Sequence, residues 1–177
     1  MIAQFNCRSN IVHPSLTGGL PMQPEQLFGM ALGITPPWEV KEISFSPESK
    51  RLDISIDFQK GAQFPCPVCG KLSPVHDTTE KEWRHLNFFQ YEAYLKARVP
   101  RVQCPDADCG VKQISVPWAR SGSGFTLLFE ALVMTMARDM PVNVIARLLT
   151  VNDKRLWRII TAYVDAARSR EDFSSVT

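Results

Sequence analysis

Strict alternation of apolar and polar side chains marks one segment of this chain most clearly. From 52 to 58, every second residue is apolar and the intervening ones are polar. A period of two is typical of a β-strand with one buried face. Further apolar residues precede the turn-forming segment 46–49, so the pattern predicts a β-hairpin. Its apolar positions are Val40, Ile43, Phe45, Leu52, Ile54, Ile56 and Phe58.

The segment before the hairpin has a different period. Residues 24–32 carry apolar side chains at helical spacing, and this predicts a short amphipathic helix. Gly33 would end the helix, and Pro36 and Pro37 would prevent its continuation. We therefore expect one unit, a short helix and a hairpin, over 24–60. Residues 1–23 show no periodicity, and we expect a disordered leader there.

Strand-like segments continue to about residue 116, and the chain then becomes helical. The predicted strands cover 83–86, 91–99, 101–103 and 113–116. Residues 121–124 read Ser-Gly-Ser-Gly and predict a flexible linker. Beyond it we expect a three-helix domain over 125–170, with helices at 125–138, 141–149 and 153–169, and a tail at 171–177.

The first of these helices is apolar nearly all round. At about 14 residues, with Glu130 inside it, it is too short for a membrane span, so we expect a buried helix and no membrane partner. The start of the chain lacks the pattern of a secretory signal. We therefore expect a cytoplasmic protein whose cysteines stay reduced, which favours metal ligation over disulfides.

Two cysteine pairs carry the clearest chemistry. Cys66 and Cys69 lie in Cys-Pro-Val-Cys-Gly, and Cys104 and Cys109 lie in Cys-Pro-Asp-Ala-Asp-Cys-Gly. Short pairs of this kind predict a structural site in which four thiolates hold one Zn²⁺ ion. The 34 residues between the pairs exceed the length of a compact finger, but strands in the gap would bring its ends together. We therefore predict a zinc ribbon over 61–120.

Alternatives to a four-cysteine site remain open. His76 or His85 would be able to replace one cysteine as a ligand. Cys66 and Cys69 also match a redox Cys-x-x-Cys, although no βαβ pattern surrounds them. The fifth cysteine, Cys7, has no partner nearby in the sequence, and we expect no role for it.

Residues 142–160 fit a helix-turn-helix. Ala146 lies where two helices would cross closely, and Thr150 takes the turn position at which glycine is common. Asn152 or Asp153 would cap the second helix. The positions expected to form the motif's core are Ile145, Leu149, Val151, Leu156 and Ile159, and we also expect Trp157 in the core.

The second helix would present a polar and basic face made by Asn152, Lys154, Arg155 and Arg158. A face of this kind suits the major groove of DNA, where arginine bonds guanine and other cations contact phosphates. A plain helical hairpin with a solvated basic edge is the alternative.

The charge distribution agrees with a polyanion-binding function. The chain has a net charge of only +2, but 81–120 carry seven basic and four acidic side chains, and 138–170 carry seven and three. Ordinary solvated surfaces remain an alternative explanation.

With both motifs placed, the chain resembles the front part of bacterial insertion-sequence DDE transposases that begin with a four-cysteine zinc ribbon and a helix-turn-helix. The resemblance covers roughly 24–170. It is carried by 27–33 (LFGMALG), 36–40 (PPWEV), 66–70 (CPVCG), 83–86 (WRHL), 100–104 (PRVQC), Cys109 and 145–149 (IARLL).

The resemblance implies binding to double-stranded DNA at the element's terminal inverted repeats. It also implies that an RNase H-like domain with three carboxylates and magnesium would follow residue 177, so we expect no catalysis by this chain. We expect Asp106, Asp108 and Asp165 to be surface residues and not ligands of a catalytic metal. On the ribbon, Arg98, Arg101 and Lys112 are candidate phosphate contacts.

The overall expectation is an α+β protein: a β-hairpin, a four-cysteine zinc ribbon and a three-helix helix-turn-helix domain. Our leading hypothesis is a DNA-binding transposase fragment. One alternative is an interaction module, in which the ribbon and the helix at 125–138 mediate self-association or inhibit the full-length transposase. Another is that a catalytic part is encoded downstream and joined by frameshift.

Overall fold

The computed structural model describes residues 22–106 and 108–170. The leader predicted at 1–23 lies almost wholly outside these residues, as do Cys7 and the tail predicted at 171–177. The helices of the described part are α1 (Pro24–Ala31), α2 (Leu127–Met136), α3 (Val142–Leu149) and α4 (Asp153–Arg168). The strands are β1 (Trp38–Ser46), β2 (Arg51–Phe58), β3 (Gln63–Pro65), β4 (Leu72–Arg84), β5 (Glu92–Gln103) and β6 (Val111–Gln113).

All six strands form one mixed sheet in which β5 is central. One edge of β5 pairs antiparallel with β4, and β5 also pairs parallel with β2 and antiparallel with the short β6. In the parallel pair, Leu52 lies opposite Ala93 and Ile54 opposite Leu95. The hairpin β1–β2 and the ribbon, which we had expected as successive units, therefore share one sheet.

The alternating strand behaves as its pattern predicts. Leu52, Ile54 and Ile56 are buried, whereas the polar residues between them are only partly buried. Three tryptophans extend this core. The ring of Trp118 packs edge-on against Trp38 at 5.0 Å and against Trp83 at 5.6 Å between centroids. Aromatic packing of this kind stabilises the sheet through large buried areas and favourable ring geometry.

The strand β4 is longer than its sequence pattern indicated. It begins at Leu72, directly after the first cysteine pair, whereas we had predicted a strand only at 83–86. Most of its added residues are exposed and polar, so hydrophobic periodicity does not mark them. Its backbone groups are satisfied by β5, with Val75 opposite Val102 at one end and Trp83 opposite Leu95 near the other.

A second core holds the three C-terminal helices together. Its buried side chains are Phe125, Phe129, Val133, Ile145, Leu156 and Ile159. Leu149, Val151 and Ala146 pack against it while remaining partly exposed. All five apolar positions predicted for the helix-turn-helix therefore contact one core, because their spacing places them on the facing sides of α3 and α4.

Two expectations about apolar side chains in this region are wrong. We expected a buried helix at 125–138, but Leu127, Leu128 and Leu132 are 42%, 54% and 36% exposed. The buried side of α2 is formed by Phe129, Glu130 and Val133 only. Trp157, expected in the core, is 54% exposed, because Leu156 and Ile159 occupy the core-facing positions of α4 and each residue turns the helix by about 100°.

None of the described helices combines the length and apolar character that crossing a membrane requires.

Replacing Thr150 by glycine should stabilise the protein. Thr150 ends α3 in the left-handed conformation, with φ 54° and ψ 43°. This conformation destabilises a β-branched residue by about 1–2 kcal/mol. Glycine relieves the strain, but part of the gain is offset because glycine loses more backbone entropy on folding. We expect Thr150→Gly to raise the free energy of unfolding by about 0.5–1 kcal/mol in urea titrations.

Ser169 provides the matched control, because it ends α4 in the right-handed helical conformation with φ −65°. Glycine there should lower the unfolding free energy by a few tenths of a kcal/mol to about 1 kcal/mol. A Thr150→Gly variant that is less stable than wild type would show that the threonine side chain makes a compensating interaction.

Candidate metal centre and nucleic-acid interface

The four predicted cysteines come together at one end of the sheet. Cys66 and Cys69 lie in the turn between β3 and β4, and Cys104 and Cys109 lie between β5 and β6. Their sulfur atoms all lie within 4.8 Å of one another, and the pair Cys69–Cys104 is 3.4 Å apart. The antiparallel pairing of β4 with β5 closes the gap between the two cysteine pairs.

Each cysteine pair sits on a tight turn that ends in glycine. Gly70 and Gly110 have φ values of 75° and 63°, a conformation that favours glycine because it has no Cβ. The Gly70 N–H donates to the Cys66 carbonyl at 2.8 Å, and the Cys104 N–H donates to the Gly110 carbonyl at 3.3 Å. These bonds bend the backbone so that both thiols of each pair face the same point.

An ion pair links the two turns across the cluster. The Lys71 Nζ lies 3.1 Å from Asp106 Oδ2. The Lys71 ammonium lowers the pKa of Asp106, and the carboxylate in turn raises the pKa of Lys71. Both side chains are partly exposed, so the pair adds little stability by itself, but it joins the cysteine turns directly.

The geometry and chemistry of the cluster fit a tetrahedral metal ion. Zinc–thiolate bonds of about 2.3 Å place the sulfurs of a tetrahedral site about 3.8 Å apart, close to the spacing of these four thiols. Backbone N–H groups of Cys69 and Val68 hold the pKa of the Cys66 thiol at about 7, whereas burial raises the pKa of Cys109 to about 12. A bound cation would stabilise all four thiolates in this small volume. The cluster is therefore a metal-binding site.

Neither alternative histidine joins the cluster. His76 is half exposed and its Nδ1 lies 3.3 Å from Asp77 Oδ2. His85 lies at the other end of β4, where its Nδ1 is 2.9 Å from the Thr126 hydroxyl. Within the described part of the chain, the residues grouped closely enough to share one ion are the four cysteines.

The N-terminus of α4 presents the predicted recognition face. Asn152 caps the helix, and its side-chain oxygen accepts a hydrogen bond from the Lys154 N–H at 2.9 Å. Lys154, Arg155 and Arg158 are all exposed. Arg155 also stacks on Phe125, with its guanidinium carbon 4.3 Å from the ring centroid, so it points toward the junction with the sheet.

The three cations of the ribbon that we predicted as phosphate contacts differ in whether a carboxylate already pairs with them. Arg98 pairs with Asp57 at 2.7 Å, and Arg101 pairs with Asp77 and lowers the pKa of that carboxyl. Lys112 lies exposed on β6. Contact of either arginine with a phosphate would require its carboxylate partner to be displaced. These carboxylates are distant in sequence, so sequence reasoning did not reveal the pairing.

Sequence reasoning also missed a buried carboxylate. Glu130 is fully buried, and its oxygens accept hydrogen bonds from Arg120 at 3.0 Å, Ser123 at 2.6 Å and Tyr163 at 3.1 Å. The signal for it was a single charged residue within an apolar helix. The segment 121–124, for which we expected a flexible linker, is tied to α2 through Ser123 in this network.

A second network joins the sheet to the helical domain. The backbone N–H of Arg84 donates to the Gly124 carbonyl, and the Arg84 carbonyl accepts from the Thr126 N–H, both at 3.0 Å. The Arg84 side chain is only 3% exposed and lies between the rings of Tyr94 and Phe129. The end of β4 therefore contacts the start of α2 through both backbone and side chain.

Acidification should weaken this junction through His85. Burial, assisted by the charge of Arg84, lowers the pKa of His85 from 6.5 to about 4. Between these values the unfolded chain binds a proton that the folded protein does not bind, so stability falls as pH drops from 6.5 to 4 and is retained above 6.5. The loss should reach about 2–3 kcal/mol in unfolding titrations.

The control for this pH dependence is a comparison of variants, because metal binding by thiols also weakens in acid. His85→Gln should reduce the dependence between pH 6.5 and 4. Equal pH profiles for wild type and His85→Gln would contradict the role assigned to His85.

Comparisons with known proteins agree with both motifs. The family model described as "zinc-finger of transposase IS204/IS1001/IS1096/IS1165" matches residues 62–109. The model described as "Helix-turn-helix domain of transposase family ISL3" matches residues 114–164. Together the two models cover more than half of the chain.

Curated relatives point the same way. Proteins named "Transposase for insertion sequence element IS1557", from Mycobacterium tuberculosis strains CDC 1551 / Oshkosh and ATCC 25618 / H37Rv, are each 26% identical over 149 residues. The match covers 81% of this chain, and the chain spans about a third (32%) of the relatives' length. No solved structure matches the chain. In these two segments the chain resembles the zinc-ribbon and helix-turn-helix region of insertion-sequence transposases, including those of family ISL3.

Proposed function

We propose that this chain binds double-stranded DNA, that α4 enters the major groove, and that its target is the terminal inverted repeats of an insertion sequence. The observation that carries the proposal is the exposed cap and first turns of α4, with Asn152, Lys154 and Arg158 presented beside the turn at Thr150. Such a helix end is the part of a helix-turn-helix that contacts base edges. The place of action is the bacterial cytoplasm, where chromosomal DNA lies.

The cysteine cluster has a structural role in this proposal. Cys66, Cys69, Cys104 and Cys109 bind one Zn²⁺ ion, and four protein thiolates leave no open coordination position for substrate or water. The ion holds the ends of β4 and β5 together. Lys112, and Arg98 and Arg101 after opening of their ion pairs, add phosphate contacts from the ribbon.

We also propose that the chain does not cut or join DNA by itself. The family models describe a zinc finger and a helix-turn-helix. Asp106 is paired with Lys71, and Asp165 lies exposed on α4, far along the chain from the other candidate carboxylates. Incubation of supercoiled DNA carrying the repeats with the protein and Mg²⁺ should give no nicked product, and nicking lost on substitution of these carboxylates would contradict this assignment.

A binding titration tests the DNA proposal. Fluorescence anisotropy at physiological salt should show binding to the parent element's terminal repeats at least about 10³-fold tighter than to random DNA of equal length. Arg158→Ala and Lys154→Ala should each weaken specific binding by about 1–3 kcal/mol. Arg168→Ala is the matched control, because Arg168 lies about 15 Å beyond Arg158 and about 21 Å beyond Lys154 along α4.

Equal affinity for the repeats and for random DNA would contradict sequence-specific recognition. Loss of binding in Arg168→Ala equal to that in Arg158→Ala would contradict the use of the first turns of α4.

A second function, self-association, is favoured by one observation. The exposed side of α2 carries Leu127, Leu128 and Leu132, and Glu130, the helix's one charged residue, is turned inward. An uncharged apolar face of this kind is self-complementary, as the interface of a twofold dimer must be. Such a dimer would also allow mixed assembly with a full-length transposase, which would inhibit that enzyme.

Sedimentation analysis separates the two functions. A dimerising chain should become monomeric on Leu128→Glu, whereas Leu148→Glu, at an equally exposed position on α3, should not change the association state. A monomer at all concentrations that still binds DNA would exclude self-association through α2.

A further inference from the structure

Two adjoining cavities, which we together call the groove, lie where the helix-turn-helix meets the sheet. Its first part is a cavity of about 170 Å³ between α4 and the segment at 122–124. Its second part, of about 240 Å³, lies on the ribbon beside Lys81 and Gln113. Arg120, Gly122 and Ser123 line both cavities, so the two parts meet there.

The charged residues that line this groove are all basic. Arg155 and Arg158 line the first part, Lys81 lines the second, and Arg120 lies between them. Among the described residues, no carboxylate side chain lines either cavity. Two basic regions that are separate in sequence therefore form one positive surface.

A larger cavity on the sheet provides the contrast. Its volume is about 490 Å³, and carboxylates accompany its cations. The charged residues that line it are Lys41, Asp57, Glu80, Lys81, Glu82, Lys96 and Arg98. A polyanion would meet both repulsive and attractive charges there, whereas the charged residues that line the groove are all cations and the Glu130 carboxylate lies buried behind Arg120.

Arg120 is held in position from the side of the core. Its Nε and Nη2 lie 3.3 and 3.0 Å from the two oxygens of the buried Glu130. Its side chain is nevertheless 39% exposed, and Nη1 has no acceptor within the described part of the chain. An arginine fixed on one edge keeps further N–H donors for an anion, and pre-ordering reduces the entropy lost on binding.

Arg155 is oriented toward the same groove by its stacking on Phe125. Phe125 belongs to the segment that connects ribbon and helices, so this contact depends on how the two parts pack. The groove thus has ordered guanidinium groups contributed from both sides.

We propose that this groove holds the sugar-phosphate backbone of duplex DNA, and that Arg120 binds a phosphate at the junction of the ribbon and the helix-turn-helix. The proposal rests on the proposed function for its ligand, but it does not depend on sequence-specific recognition. Phosphates suit this groove because a planar guanidinium group donates two parallel hydrogen bonds to a pair of phosphate oxygens. No carboxylate side chain among the described residues lines the groove to repel them. DNA bound by α4 would then continue along the ribbon past Lys81.

Salt dependence of DNA binding tests the proposal. The double variant Arg120→Gln/Glu130→Gln removes the cation while keeping the net charge and leaving no buried carboxylate unpaired. We expect the slope of log K against log salt to fall in magnitude by about 0.9, and the affinity to fall about fivefold near 0.15 M salt. Lys81→Gln, at an exposed position, should have a similar effect.

Lys60→Gln is the control, because Lys60 lies in the turn between β2 and β3, outside both cavities. It should leave the slope within about 0.3 of the wild-type value. Circular dichroism and zinc content must match wild type for each variant. A wild-type slope in both the double variant and Lys81→Gln would overturn the proposal.

The same titrations on random DNA separate this proposal from the proposed function. If the chain binds the repeats and random DNA equally, but the groove variants still lower the slope, recognition of the repeats fails and the groove stands. If specific binding is present and the slopes do not change, the groove fails alone. Absence of any DNA binding would overturn both.

Discussion

Removing the metal should destabilise the protein more than any single substitution outside the cysteine cluster. Structural zinc sites contribute about 10–16 kcal/mol, which is comparable to the whole stability of an ordinary domain at about 5–15 kcal/mol. The four cysteines hold the turns at the ends of β3, β4, β5 and β6, so their release would free both strand connections together. We expect a chelator under reducing conditions to cause loss of strand signal and cooperative unfolding of the ribbon.

Two measurements check this result. Metal analysis should give one zinc per chain, and thermal unfolding followed by tryptophan fluorescence should move to a much lower temperature after chelation. Cys109→Ser should reproduce the effect, because it removes a buried ligand. Cys7→Ser, the control outside the predicted site, should keep full zinc content. An unfolding temperature that does not change after chelation would be incompatible with a structural metal.

Truncation of Arg84 to alanine should give the second largest effect, a loss of about 3–5 kcal/mol in the free energy of unfolding. The guanidinium donates to the carbonyls of His85 and Ala93 and to the Asn87 side chain. Alanine would leave buried acceptors unpaired and a cavity beside Phe129.

Burial of the Arg84 guanidinium lowers its pKa, because desolvation disfavours the charged form. The hydrogen bonds to these acceptors offset that cost. Since Arg84 joins β4 to α2, we also expect its truncation to weaken DNA binding by loosening the helical domain relative to the ribbon.

Arg98→Ala is the matched control for stability. Arg98 lies on the neighbouring strand β5, but its side chain is half exposed and its pairing with Asp57 is solvated. Surface ion pairs contribute about 0–1 kcal/mol, so this variant should lose no more than that. Chemical denaturation of both variants at the same pH and zinc content measures the difference. An Arg84→Ala variant as stable as Arg98→Ala would contradict the role assigned to the buried guanidinium.

Local patterns predicted much of the fold and the clustered cysteines. The strand at 52–58 follows from alternation, and the turn at Thr150 follows from the spacing of apolar residues on either side of it. The structure of the long segment between the cysteine pairs was harder to predict, because β4 is mostly exposed and its sequence shows little hydrophobic periodicity. Its existence was predicted only in part, from the segment beginning at Trp83.

Side-chain partners distant in sequence were beyond such patterns. The spacing of apolar residues does not show that Asp57 neutralises Arg98 or that Glu130 holds Arg120. The same spacing wrongly predicted that Trp157 and the outer leucines of α2 would be buried. An apolar residue is buried only if another element covers it.

The order of amino acids was enough to specify most of the elements and the chemistry: the alternating strand, the helix periods, the four thiols and the basic first turns of α4. These depend on covalent order and local backbone geometry, which spacing along the chain records. Which charges remain free depended instead on the tertiary fold. The parallel pairing of β2 with β5 and the packing of α2 against the end of β4 bring a carboxylate to Arg98 and another to one edge of Arg120, and they place Arg120, Arg155 and Lys81 along one groove. Electrostatic interactions depend on distance in space, and only the folded chain sets that distance.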